Sequence, residues 1–222
     1  MLITLDTIQY VHKNERDLEI PAVLKSVSNH IKDIDSLLDV GCHWSWAYYA
    51  NQLREILQTR KYDGIDIIIK EDNQTPNILD KYHVGDICST ELPKYDYVAC
   101  ISSIEHCGLS TYKRDDFRAE QHKVFSRLLD VANKYLFLSF PFGLDHVYEG
   151  EYANITDLQL LDFTTMAAAQ SFIINDLQFY FNEFSPGGEP WQYISWRDAA
   201  KKPMIKEKGT QCVGIIEWAK VV

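Results

Sequence analysis

A few short stretches of the chain carry acids, a glycine and hydroxyls at spacings that suit a nucleoside ligand. In Asp39-Val40-Gly41-Cys42-His43-Trp44-Ser45, an apolar run ends at a glycine, so the chain can turn tightly and offer backbone N–H groups to a ligand. Asp66 lies 25 residues beyond Gly41, where a carboxylate can accept hydrogen bonds from both hydroxyls of a ribose. Asp86, in Gly85-Asp86-Ile87, is a short acid able to receive a hydrogen bond from an exocyclic amine such as that of adenine. Each feature taken singly also has an ordinary use, as a strand-to-helix turn, a solvated strand-end acid or a turn residue. Their value depends on whether the fold brings them to one place.

The elements that must do this alternate. Residues 15–32 carry Leu18, Val23, Val27 and Ile31 at helical spacing, and Ser36–Val40 reads as a buried strand stopped by Gly41. Trp46–Arg60 is a helix with Tyr49, Leu53, Ile56 and Leu57 on one face. Strands follow at Tyr62–Lys70, Tyr82–Val84 and Lys94–Ile104, then a helix over Arg114–Lys134 and a strand over Tyr135–Phe140. Strands that read as nearly continuous apolar runs between helices imply a parallel sheet covered on both faces. Phe172–Phe184 and Thr210–Val222 are late strands, expected as an antiparallel hairpin at one edge of the sheet. The reading is one α/β, doubly wound domain over residues 1–222, with residues 144–171 an insertion or lid over the ligand face. In such a sheet ligands bind outside the carboxyl ends of the strands, near the point where strand order reverses. Asp39, Gly41, Asp66, Asp86, Ser102 to His106 and Phe142-Gly143 all fall there.

LLDVGCHWS, IDI, GDI and YDYVACISSIEH occur in this order over residues 36–143, and together they resemble the motifs of the class I S-adenosylmethionine-dependent methyltransferases. The resemblance implies a mostly parallel, seven-stranded Rossmann-like sheet whose final strand is antiparallel. It also implies S-adenosylmethionine as cofactor, with S-adenosylhomocysteine as product. The methionine part would lie near Asp39, Gly41 and Cys42, the ribose at Asp66 and Ile67, and the adenine near Asp86 and Ile87, with Ser102 at the end of the fourth strand. The chain departs from the family's D-x-G-x-G-x-G at His43 and Ser45, which stand where glycines are usual. A Gly-Cys-x-x-Ser turn still presents N–H groups, with the Ser45 hydroxyl as an added donor.

Methyl transfer from a sulfonium needs an in-line nucleophile, held close, with a removable proton. His106 is the first candidate base, because imidazole exchanges protons near neutral pH, the alternative being that it only packs and hydrogen-bonds at the cofactor edge; Glu105 would orient it or cap the following turn. His146 is the second candidate. The stretches FSPGGEPW and CVGIIEWAK resemble the tails of methyltransferases associated with sugar and polysaccharide biosynthesis, which implies a small-molecule or saccharide acceptor, a sugar hydroxyl. Trp191, Tyr193 and Trp196 offer aromatic faces that stack on sugar rings, although such clusters more often build core.

The whole chain narrows the choice. Its 32 acids against 22 bases give a net charge of −10, so it lacks the positive field that bulk nucleic-acid binding relies on. Five cysteines without a CxxC pair argue against a disulfide framework or a zinc ribbon, and the histidines show no metal-ligand spacing. No metal is expected. No apolar stretch approaches the roughly 18 residues of a membrane span, and the N-terminal stretch lacks a basic region before an apolar run, so a cytoplasmic protein without membrane insertion is expected. A homodimer is compatible with all of this. Two readings compete with the enzyme. A catalytically inactive, methyltransferase-like binding or scaffold protein is suggested by His43 and Ser45, and a nicotinamide-dependent oxidoreductase is disfavoured by the absence of GxGxxG after the first strand.

Overall fold

Ser36–Val40 (β1) is buried on both faces and is the middle strand of the parallel part of the sheet in the computed structural model, which describes residues 15–42, 47–68, 78–109, 117–148, 152–183, 191–202 and 210–221. Its four apolar neighbours in chain order, strands β2 (Lys61–Asp66), β3 (Lys81–Val84), β4 (Tyr95–Ile101) and β5 (Ala132–Pro141), run parallel to it. After the two-residue strands β6 (Val147–Tyr148) and β7 (Tyr152–Ala153) come β8 (Phe172–Glu183), β9 (Gln192–Tyr193) and β10 (Thr210–Lys220). The main sheet has the order β3-β2-β1-β4-β5-β10-β8-β9, and strand order reverses between β1 and β4. The sheet therefore has eight strands rather than the expected seven, because Gln192–Tyr193 pairs with Tyr180–Phe181 at its edge.

The late strands are antiparallel as expected, but the last one in sequence is not the outermost. β10 lies between β5 and β8 and is antiparallel to both. Residues 212–218 are buried without a break, and a strand covered on both faces takes an interior position. β8 tolerates the outer place because residues 173–176 are exposed.

Helices cover both faces. α1 (Arg16–His30) and α2 (Ala47–Leu57) pack Val23, Val27 and Leu53 against Leu37, Tyr62, Tyr97 and Phe137. α3 (Phe117–Val131) and α4 (Asp157–Ala169) pack Phe125, Leu128 and Phe163 against Leu38, Val98, Leu138 and Trp218. α5 (Trp196–Ala199) is a single turn. α3 stops at Val131, earlier than the apolar pattern suggests. The sheet captures the next residues, pairing Ala132 with Tyr95, while Asn133 and Lys134 bind the Asp96 carboxylate at 3.0 and 3.3 Å.

Within residues 144–171, α4 is a layer of the sheet, with Thr156 accepting the Gln159 N–H as its N-cap. The β6–β7 ribbon packs instead against a 3-10 turn, Ile104–His106, beyond the end of β4. Phe163 anchors α4 by stacking on Phe125 with ring centroids 4.3 Å apart. Phe163→Ala is expected to cost about 3–5 kcal/mol of stability, the usual range for emptying a buried aromatic site, readable as a lowered urea midpoint.

Candidate functional site at the carboxyl edge of the sheet

Backbone contacts knit the carboxyl ends of β1, β2 and β3 together. Gly41 N–H donates to the Ile65 carbonyl at 2.9 Å, and Gly85 N–H donates to the Asp66 carbonyl at 2.9 Å. Gly41 has φ +76°, and a Cβ placed on it would lie 2.0 Å from Ser103 Oγ, so the ends of β1 and β4 also touch. Only glycine satisfies both the dihedral and the space. These contacts gather Gly41, Asp66, Asp86 and Ser102 along one edge at the switch point.

The side chains there differ in availability. Asp66 closes a turn by accepting the Ile68 N–H at 3.0 Å, and Ile67 beside it is 57% exposed. Asp86 accepts the Cys88 N–H at 2.8 Å and remains exposed, while Ile87 enters the core. Asp39 is buried on the α1–α2 face and accepts the Tyr62 hydroxyl at 3.2 Å; that carboxylate and burial hold the Tyr62 phenol well above its ordinary range, burial being the larger cause. The Cys42 thiol is buried against Gly64. Ser45 and His43 lie outside the described residues.

Ser102 is the strained point. Its φ is +39°, unusual for a residue with a side chain. It is held there by N–H donation to the Ser139 carbonyl at 3.0 Å and by Oγ donation to Glu19 Oε1 at 2.5 Å. Glu19 is fully buried and paired with Arg16 at 2.8 Å. Burial raises the Glu19 carboxyl, and Arg16 and Ser102 oppose the rise. Glu105 follows in the 3-10 turn, also buried, with Oε2 lacking a hydrogen-bond partner among the described residues. Burial pushes its carboxyl up to about 8, with the nearby Glu19 adding to the effect.

His106 projects from the same turn with about half its side chain exposed, 3.9 Å from Glu105 Oε1. His146 is exposed just before β6, and its carbonyl accepts the Asn154 N–H at 3.0 Å. The ribbon that follows His146 packs on the turn that carries His106, so both histidines belong to the same end of the sheet.

Solved structures with this architecture are informative. A magnesium protoporphyrin IX methyltransferase from Synechocystis with bound S-adenosylhomocysteine superposes at TM-score 0.54 and 15% identity, covering 91% of this chain and 82% of the other. An amino pentose methyltransferase from Micromonospora with bound S-adenosylmethionine gives 0.51 and 13%, covering 91% and 90%. A sugar N-methyltransferase from Streptoalloteichus gives 0.53 and 13%, covering 92% and 87%. The chain has the class I methyltransferase fold. No family model and no curated protein matches the sequence.

Several residues of this methyltransferase-fold site escape a sequence reading. Arg118 binds the Asp145 carboxylate, the Gln159 side chain and, at 2.7 Å, the Asn154 carbonyl, which ties the start of α3 to the ribbon and α4. Gln121 continues this network, donating to the Glu105 carbonyl at 3.3 Å and accepting from Gln159 at 2.6 Å. Glu19 alone left a signal: it stands four residues before Val23 and eight before Val27, an acid on an apolar helix stripe.

The raised Glu105 carboxyl makes a stability prediction. A carboxyl that ionises near 4.5 when unfolded and near 8 when folded supports the native state fully below 4.5, and that support is lost as pH rises through 8. Glu105→Gln is therefore expected to raise the thermal midpoint at pH 8 relative to the parent chain, with the difference vanishing near pH 4. Thermal unfolding across that pH range checks this, and a Glu105→Gln curve parallel to the parent's would contradict the assignment.

Proposed function

We propose that this protein is an S-adenosylmethionine-dependent methyltransferase acting on a small-molecule or glycan acceptor, a sugar hydroxyl, by direct displacement. The observation that carries the reading is the convergence of Gly41, Asp66 and Asp86 on one edge at the switch point, where an open α/β sheet binds its ligand. Asp66 fits the ribose hydroxyls, with exposed Ile67 against the sugar; Asp86 and Ile87 fit the adenine; and the turn at Gly41 and Cys42 fits the methionine end, with Asp39 and Ser102 behind it. The cofactor would supply an electrophilic methyl group. The chain's own part is to hold an acceptor oxygen in line and take its proton.

His106 is the base in this reading, with His146 on the neighbouring segment as second candidate. Glu105, 3.9 Å from His106, sets the imidazole orientation. The β6–β7 ribbon, tied down by Arg118, is the part of residues 144–171 positioned to border the acceptor. The acceptor class draws on the sugar methyltransferases among the structural neighbours.

Calorimetric titration with S-adenosylmethionine and S-adenosylhomocysteine tests the reading. Saturable binding is expected, weakened roughly ten- to a hundredfold by Asp66→Ala, the effect of losing charge-assisted hydrogen bonds of about 1.5–3 kcal/mol. Absence of binding at millimolar ligand would overturn the cofactor assignment. Binding without methyl transfer to any of a set of saccharide acceptors would favour the scaffold reading.

A further inference from the structure

A second candidate site lies on the flat of the sheet, and Gly41, Asp66, Asp86 and Ser102 are not among its lining residues. Between α1 and strands β5, β10 and β8 is a cleft of about 470 Å³, a volume in the range of small-molecule sites. Its floor is polar where a sheet face under a helix is ordinarily apolar.

Glu217 of β10 is the centre of that floor. It is buried, and its carboxylate accepts from Asn175 Nδ2 at 2.5 Å, from Tyr97 Oη at 3.4 Å and from the Ser26 hydroxyl, with His30 Nε2 at 2.9 Å. His30 is also stacked on Tyr135, ring centroids 3.8 Å apart. A carboxylate with this many donors is fully satisfied, and it fixes Asn175 and His30 beside the cleft. Asn175 reaches it through a register shift: Glu217 is opposite Asp176 and Trp218 opposite Ile174, so Asn175 is the extra residue of a bulge. Bulges re-aim a side chain at the cost of a ladder bond and occur next to functional sites.

The floor continues along β8. Asp176, Gln178 and Tyr180 alternate onto one face and are linked in series, Gln178 Nε2 to Asp176 Oδ2 and Tyr180 Oη to Gln178 Oε1, each at 2.5 Å. Trp191 borders the cleft, and its indole N–H has no acceptor among the described residues.

This lining selects a ligand class. Two carboxylates, Asp176 and Glu217, oppose an anion, with Lys25 the one lysine at the wall among the described residues. An apolar ligand would strip water from the carboxamides without replacing its hydrogen bonds. Side-by-side donors and acceptors on Asn175, Gln178 and Asp176 match vicinal hydroxyls, and the rings of Tyr180 and Trp191 match the C–H face of a sugar. We propose that the cleft binds a neutral saccharide, at a site separate from the carboxyl edge. This goes beyond the methyl-transfer reading and does not depend on it.

Saturation-transfer NMR and calorimetry on the full chain, without cofactor, test the proposal with glucose, galactose, N-acetylglucosamine, rhamnose and maltose as probes. At least one sugar is expected to bind saturably at millimolar concentration. Asp176→Ala, at an exposed position, and Gln178→Ala should each weaken it about tenfold or more, equivalent to about 1.4 kcal/mol, with circular dichroism and thermal midpoints confirming that both remain folded. Asp66→Ala should leave sugar binding unchanged. The proposal is overturned if no probe saturates, if binding survives both cleft substitutions, or if Asp66→Ala abolishes it, since that last result would put the sugar at the carboxyl edge.

Discussion

The meeting of β1 and β4 at Gly41 is the constraint from which the edge is built. There the chain turns with positive φ against Ser103, in a space that admits no Cβ. Because β1 is the middle one of the five parallel strands, its end sets the height of its neighbours: Gly41 N–H bonds the end of β2, and the end of β2 bonds Gly85 after β3. Moving any of these ends would move the others. The carboxylates of Asp66 and Asp86 are thus positioned by backbone hydrogen bonds that contain no functional side chain.

Around this frame three glutamates are buried among the described residues, and the fold treats them differently. Glu217 is surrounded by donors from α1, β4 and β8, so its charge is compensated within the sheet. Glu19 has Arg16 on one oxygen and Ser102 on the other, and that second bond holds Ser102 in its strained conformation. Glu105 has neither, and one of its oxygens is unpartnered among the described residues. A buried carboxyl whose desolvation outweighs its few donors favours its neutral form, and this one adjoins the histidine proposed as base. The contrast separates two uses of a buried acid: Glu19 and Glu217 join elements together, whereas Glu105 shapes the electrostatics of the edge.

The strand pattern was readable because each central strand is buried on both faces and therefore appears as an uninterrupted apolar run; Ser36–Val40 was located to the residue. α4 was not readable. Leu158 and Leu161 are exposed while Leu160 and Phe163 are buried, so apolar residues surround the helix and no amphipathic period marks it. The order of the last strands was hidden for another reason. Chain order places β10 at the end, but only its pairing with both β5 and β8 puts it inside the sheet. Trp191, Tyr193 and Trp196 looked alike in sequence and have different surroundings: Trp191 borders a cleft, Tyr193 is largely exposed, and Trp196 packs near Phe179.

By itself the sequence determined the alternation of strands and helices, the glycine turn after β1 and the acids after β2 and β3, because these are local consequences of residue type and spacing. The tertiary structure decided everything that depends on residues distant in the chain. It brought Ser26 and Glu217, 191 positions apart, into one hydrogen-bonded cluster and placed Glu19 under Ser102, 83 positions away. It also set the ionisation of Glu105, since burial and neighbouring charge are properties of packing and leave no mark on the two residues either side.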